Sequence, residues 1–131
     1  MKNIFKPGDT KVYHKIVSEK DVVTFESGTL HNVYATFALA RDMEWSSRLF
    51  VLDMKEEDEE GIGTALKIIH KSPALVGEKV EITATVRLIQ GNELICDVIA
   101  KVGTRVVAEG KTGQKVLKKE KLKEIFKNLT A

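Results

Sequence analysis

The sequence predicts an α+β fold, an antiparallel sheet with one long helix laid across it, on three observations. Apolar residues over Val33–Met54 recur at helical period, with Leu39, Ala40, Met43, Phe50 and Val51 in one broad stripe and Arg41, Asp42, Arg48 and Asp53 on the opposite, solvated side. Four strand-like segments follow: Gly63–Pro73, Lys79–Ile89, Leu94–Val102 and Arg105–Leu117. The turns between them are too short for parallel crossovers, which leaves antiparallel neighbours. One helix covers only one face of such a sheet. The uncovered surface or edge is therefore expected to pair with a second copy, as a homodimer or an assembly of dimers.

Before the helix, Pro7-Gly8-Asp9 is a turn. Lys11–Val23 follows as an edge-like strand, with Val12, His14 and Ile16 alternating against Lys11, Tyr13 and Lys15. Phe25–His31 reads as a loop, and Asn32 as the N-cap of the helix. The acidic run Lys55–Glu60 opposes the negative end of a helix dipole, so the helix is expected to stop near Met54 and the run to be a solvated loop.

The segment Gly63–Pro73 puts Thr64, Leu66, Ile68 and His70 on one parity; Lys67 and Lys71 mark the wetter side. After a turn at Pro73–Gly77, Val80, Ile82, Ala84, Val86 and Leu88 alternate inward, and Gln90–Glu93 closes a hairpin. Leu94–Val102 is apolar on both parities and reads as a central strand or one buried at an interface. Gly103-Thr104 turns the chain into Arg105–Leu117, and Lys118–Leu129 is a lysine-rich amphipathic tail.

The 131 residues suit a single domain over 1–131, and a net charge of +2 with mixed signs argues against a nucleic-acid partner. One cysteine, Cys96, excludes an intrachain disulfide and a thiolate metal site. No signal-like or membrane-spanning run is visible, so the expectation is a cytoplasmic protein without a membrane partner.

Three side chains carry chemical promise. Thr36 lies on the apolar stripe near the positive end of the helix dipole, and Glu44 at the edge of that stripe. They stand eight residues apart, roughly 12 Å along the axis, and cannot touch. His70, inward with Leu66 and Ile68, is expected to bring an imidazole to the same region.

These residues resemble the fluoroacetyl-CoA thioesterase family, whose members are hotdog-fold thioesterases: an antiparallel sheet wrapped around one long central helix, as a dimer. The resemblance rests on Tyr34-Ala35-Thr36, on Met43-Glu44-Trp45 eight residues on, and on Gly63-Thr64-Ala65 leading to His70. It covers most of the chain but is specific only over Val33–Pro73. It implies an acyl-CoA thioesterase with a catalytic set of Thr36, Glu44 and His70. Substrate binding falls to Gly63, whose amide meets the thioester carbonyl, and its neighbour Thr64. It implies no cofactor and no metal, and an acyl-CoA site at the dimer interface. One departure stands out. The fluoroacetate-specific member carries a longer lid with paired phenylalanines before the helix, whereas Phe25–Leu30 is short here. Fluoroacyl selectivity is not implied; thioester hydrolysis is.

The chemistry suits the residues. Imidazole titrates near neutrality and can serve as base, then as acid toward the departing thiolate. A carboxylate orients it, a hydroxyl attacks or holds a water, and a glycine admits backbone close to a ligand. Singly, each residue has a plainer reading. Thr36 can bond back to the helix, Glu44 can pair with Arg41 and Arg48, and an inward histidine is more often a satisfied core residue. Gly63 can simply open a strand. Their joint spacing favours function. Lys67, Lys71 and the tail lysines can meet CoA phosphates, though a solvated face is the simpler reading. His14 and His31 have no ligand-spaced partners, and Trp45 reads as interface filler. The competing functions are a non-catalytic acyl-CoA or lipid-binding hotdog module and a hotdog hydratase. The hydratase pattern sets an Asp and a His five apart, and Asp42 has no such partner.

Overall fold

The computed structural model describes residues 1–25 and 28–130. In chain order the elements are β1 (Thr10–Ile16), a 3-10 turn (Glu19–Asp21), β2 (Val22–Phe25), β3 (Gly28–Tyr34), α1 (Thr36–Met54), β4 (Glu59–His70), β5 (Lys79–Gln90), β6 (Glu93–Val102), β7 (Arg105–Lys118) and α2 (Lys119–Leu129). Five strands form one antiparallel sheet in the order β1-β5-β6-β7-β4, and β2 with β3 forms a separate hairpin. The doubly apolar segment is the central strand β6, flanked by β5 and β7. Two-residue loops at Gly91-Asn92 and Gly103-Thr104 join these three, each opened by a glycine at positive φ as a primed hairpin turn requires.

Helix α1 lies on one face of this sheet. Leu39, Met43, Phe50 and Val51 are buried against Val80, Ile82, Leu94, Cys96 and Val98. Small residues on the same side, Ala38, Ser46 and Ser47, let the helix approach closely. The buried serines donate to the carbonyls of Met43 and Glu44 and so leave no orphan hydroxyl.

Six expectations need correction. Helix α1 begins at Thr36, not Val33, and Asn32 is a β3 residue rather than its cap. The reason is tertiary: the Tyr34 amide donates to Ala74 and the Ala35 amide to Asp21, which holds the backbone extended up to Ala35. The expected loop over Phe25–His31 is instead largely hairpin β2–β3, and β1 ends at Ile16; Glu26 and Ser27 of the short lid lie outside the described residues. Glu59 and Glu60 open β4 rather than end a loop. Asp42, expected on the solvated side of the helix, is buried.

Strand β1 sets Lys11, Tyr13 and Lys15 half-buried on the helix side and leaves Val12 and Ile16 exposed. Lys11 finds Asp53 of α1 there, and Lys15 finds Asp21. The ion partners on the helix side outweigh the apolar preference of this short edge strand.

Candidate active site

Among the described residues strand β4 is an edge strand, hydrogen-bonded to β7 on one side only. Its register slips between Gly63 and Ala65: Gly63 lies opposite Gln114, and Ala65 opposite Gly113. Thr64 is thus the extra residue of a bulge. Beyond it Leu66 faces Thr112, Ile68 faces Gly110 and His70 faces Ala108. Thr112, Gln114 and Ala108 are buried under α1, so Gly63, Leu66, Ile68 and His70 point toward the helix. Thr64, placed on that parity by the sequence, leaves it at the bulge; a Cβ on Gly113 would come within 2.9 Å of its hydroxyl.

Thr36 and His70 meet. Thr36 Oγ1 is 3.0 Å from His70 Nδ1, and Nε2 of the same ring is buried without a partner among the described residues. Thr36 is the first residue of α1, one turn nearer the terminus than expected. Among the described residues no side chain caps that terminus and no acid occupies its first turn, which leaves the positive end of the dipole open beside the Thr36 hydroxyl.

Glu44 lies elsewhere. It sits two turns along α1, where its Oε1 crowds the Cα of Gly63 so closely that any β-carbon there would collide with it. Together with Arg41, Trp45, Arg48, Gly63 and Gln114 it lines a cleft of about 260 Å³. The surface ion pair that offered a plainer reading of Glu44 is absent among the described residues. Arg41 turns to Asp21 and Asp42, and Arg48 to Glu60. Within one subunit, therefore, Thr36 joins His70 and Glu44 joins Gly63. Eight residues of α1, about 12 Å along its axis, separate Thr36 from Glu44, and six strand steps, roughly 20 Å along β4, separate His70 from Gly63.

Two supporting groups were not legible in the sequence. Gln114, buried on β7, donates to the Ser47 hydroxyl beneath Glu44 and so fixes the floor of the cleft. At the other end, Tyr34 donates to Asp42, and Arg41 bridges Asp42 to the buried Asp21. Burial opposes ionisation of Asp21, yet the Ser18 amide and hydroxyl and the Arg41 guanidinium outweigh it and hold the carboxyl below its ordinary value. Burial and the Asp42 carboxylate push the Tyr34 phenol well up, so it remains a donor. This network ties the 3-10 turn, the end of β3 and α1 together around Thr36.

No group of three or more potential metal ligands clusters among the described residues. The family model for the fluoroacetyl-CoA-specific thioesterase matches residues 17–120. The chain belongs to that family. Its fold is shared with a Thermus thermophilus member of the thioesterase superfamily at 32% identity, over 98% of this chain and 95% of that one, with a TM-score of 0.90. The fluoroacetyl-CoA thioesterase FlK itself superposes with a TM-score of 0.87 at 22% identity, over 96% of this chain and 98% of that one. A hot-dog-like protein from Thermanaerovibrio acidaminovorans gives 0.88 at 22% identity, over 97% and 94%. No curated protein matches the sequence. The expected hotdog architecture and the family resemblance are thus both met.

Proposed function

We propose that this protein is an acyl-CoA thioesterase acting on small or medium acyl groups, with Thr36, Glu44 and His70 as its catalytic residues and Gly63 against the thioester carbonyl. The carrying observation is the Thr36–His70 contact, which leaves Nε2 of the imidazole buried and unpaired. A neutral core histidine would have both nitrogens satisfied.

A homodimer supplies the missing partner. The β4 edge is unpaired, and Leu66, although it faces the helix side, remains 45% exposed, with Phe37 and Trp45 also exposed. A two-fold axis near the middle of β4 reverses the strand. It carries the partner subunit's Gly63 and Glu44 toward the end where Thr36 and His70 stand. The partner's carboxylate then accepts from His70 Nε2–H, and Nδ1 takes the proton of the Thr36 hydroxyl or of a water held there. The oxygen attacks the carbonyl carbon, and the oxyanion forms near the backbone of the partner's Gly63 and the open α1 terminus. When the tetrahedral intermediate collapses, His70 returns the proton to the CoA thiolate; where Thr36 was the nucleophile, a water deprotonated by His70 then hydrolyses the acyl-Thr36 ester, releasing the acid and restoring the hydroxyl.

The test is thiol release by purified protein against a panel of acyl-CoAs, with His70→Asn assayed and melted in parallel. As base, His70 is worth on the order of 10²–10⁴-fold in turnover with the fold intact. A variant as fast as its parent overturns the assignment. Parent protein that binds acyl-CoA without releasing thiol favours the non-catalytic binding module.

A further inference from the structure

Helix α2 presents an apolar stripe that its own subunit leaves largely bare. Leu122, Ile125, Phe126 and Leu129 share one side of the helix, and only Leu122 is buried. Ile125, Phe126 and Leu129 are 37%, 53% and 78% exposed. At 100° per residue, Lys119 and Lys121 border this stripe on either side and Lys123 stands just beyond, while Glu120 and Glu124 point away from it. Lys119, Lys121 and Lys127 make no ion pair among the described residues; Lys118 and Lys123 are engaged with Asp58 and Glu120. The stretch matched by the family model, residues 17–120, stops just inside α2.

We propose that α2 is a docking face for an anionic phospholipid surface. Cations flanking an apolar stripe, with acids turned to the far side, are complementary to a plane that is negative at the headgroups and apolar just beneath. A protein partner would also cover the stripe. The distribution of charge selects the lipid: Phe126 and Leu129 enter the headgroup–acyl boundary while Lys119 and Lys121 lie level with the phosphates. No helix of the described residues is long and apolar enough to cross a membrane, so the association is peripheral. The expectation of no membrane partner rested on the lack of a spanning run and does not bear on a surface helix. The proposal stands independently of the hydrolytic reading.

The experiment is flotation of the full chain with vesicles of phosphatidylcholine alone and of phosphatidylcholine mixed with phosphatidylglycerol. The parent floats with the mixed vesicles only, and raised salt releases it. Phe126→Glu abolishes flotation, and Lys119→Gln with Lys121→Gln lowers the bound fraction about tenfold. Light scattering and thiol release are measured on Phe126→Glu as controls and are unchanged. A parent that never floats, or a Phe126→Glu protein that floats as well, overturns the proposal. So does a Phe126→Glu protein of altered mass, which shows that a second copy covers the stripe.

Discussion

Thr36 Oγ1 stands 3.0 Å from His70 Nδ1 across a sequence separation of 34, the first residue of α1 meeting the last of β4. The contact asks for a hydroxyl at Thr36 and nothing larger. Thr36→Val keeps the volume and removes the oxygen; thiol release is expected to fall by about a hundredfold or more. Thr36→Ser keeps the oxygen and stays within about tenfold of the parent on the same scale. Steady-state assays of the two variants side by side decide it, and equal rates would count against any part for the hydroxyl.

Gly63 has no room for a β-carbon because the Glu44 carboxylate occupies it. Gly63→Ala must push Glu44 aside. Since Gly63 lies exposed at the sheet edge, melting is expected to change little while turnover drops on the order of 10- to 100-fold. Parental turnover in the alanine variant would mean that the position of Glu44 is immaterial to the reaction.

The open β4 edge predicts a dimer in light scattering at micromolar concentration. Leu66→Glu places a charge in the centre of that edge, and it is expected to yield monomers and abolish thiol release together. A stable parental monomer contradicts the composite site.

Selectivity is a separate matter. The short segment before α1 predicts that kcat/KM for fluoroacetyl-CoA does not greatly exceed that for acetyl-CoA. A large ratio, with both substrates measured on one preparation, refutes that expectation.

Burial pushes the Cys96 thiol up to about 12, the strongest influence, with Asp97 adding to it. The folded state thus keeps a proton that the unfolded chain releases near the ordinary thiol value. Above that value the unfolded state binds fewer protons, and stability falls as pH rises. Asp21 acts at the other extreme. Its lowered value contributes stability above the ordinary carboxylate range, and this is lost as pH falls through the folded value. Native Cys96 should resist maleimide until the protein unfolds, and rapid native labelling would contradict its burial.

Periodicity revealed α1, the central place of β6 and the amphipathic end of the chain, because each buries a face with its own regular repeat. It misplaced the start of α1, since the hydrogen bonds that keep Tyr34 and Ala35 extended come from Asp21 and Ala74, distant in sequence. It put Asp42 in solvent, as no local pattern announces that Tyr34 and Arg41 will partner a carboxylate. The Thr36–His70 meeting was foreseen. The separation of Glu44 from that pair was not, because parity says which way a residue faces and nothing about where along the strand the helix sets its neighbours.

The bulge at Thr64 has a consequence for anyone transplanting this chemistry to another scaffold. Sequence counts seven positions from Gly63 to His70, an odd number that on a regular strand turns the two residues to opposite faces. The strand counts six, because Thr64 is looped out of the alternation. On an ideal, bulge-free strand the pair therefore belongs six residues apart. Copying the motif letter by letter onto such a strand would turn its glycine away from the helix.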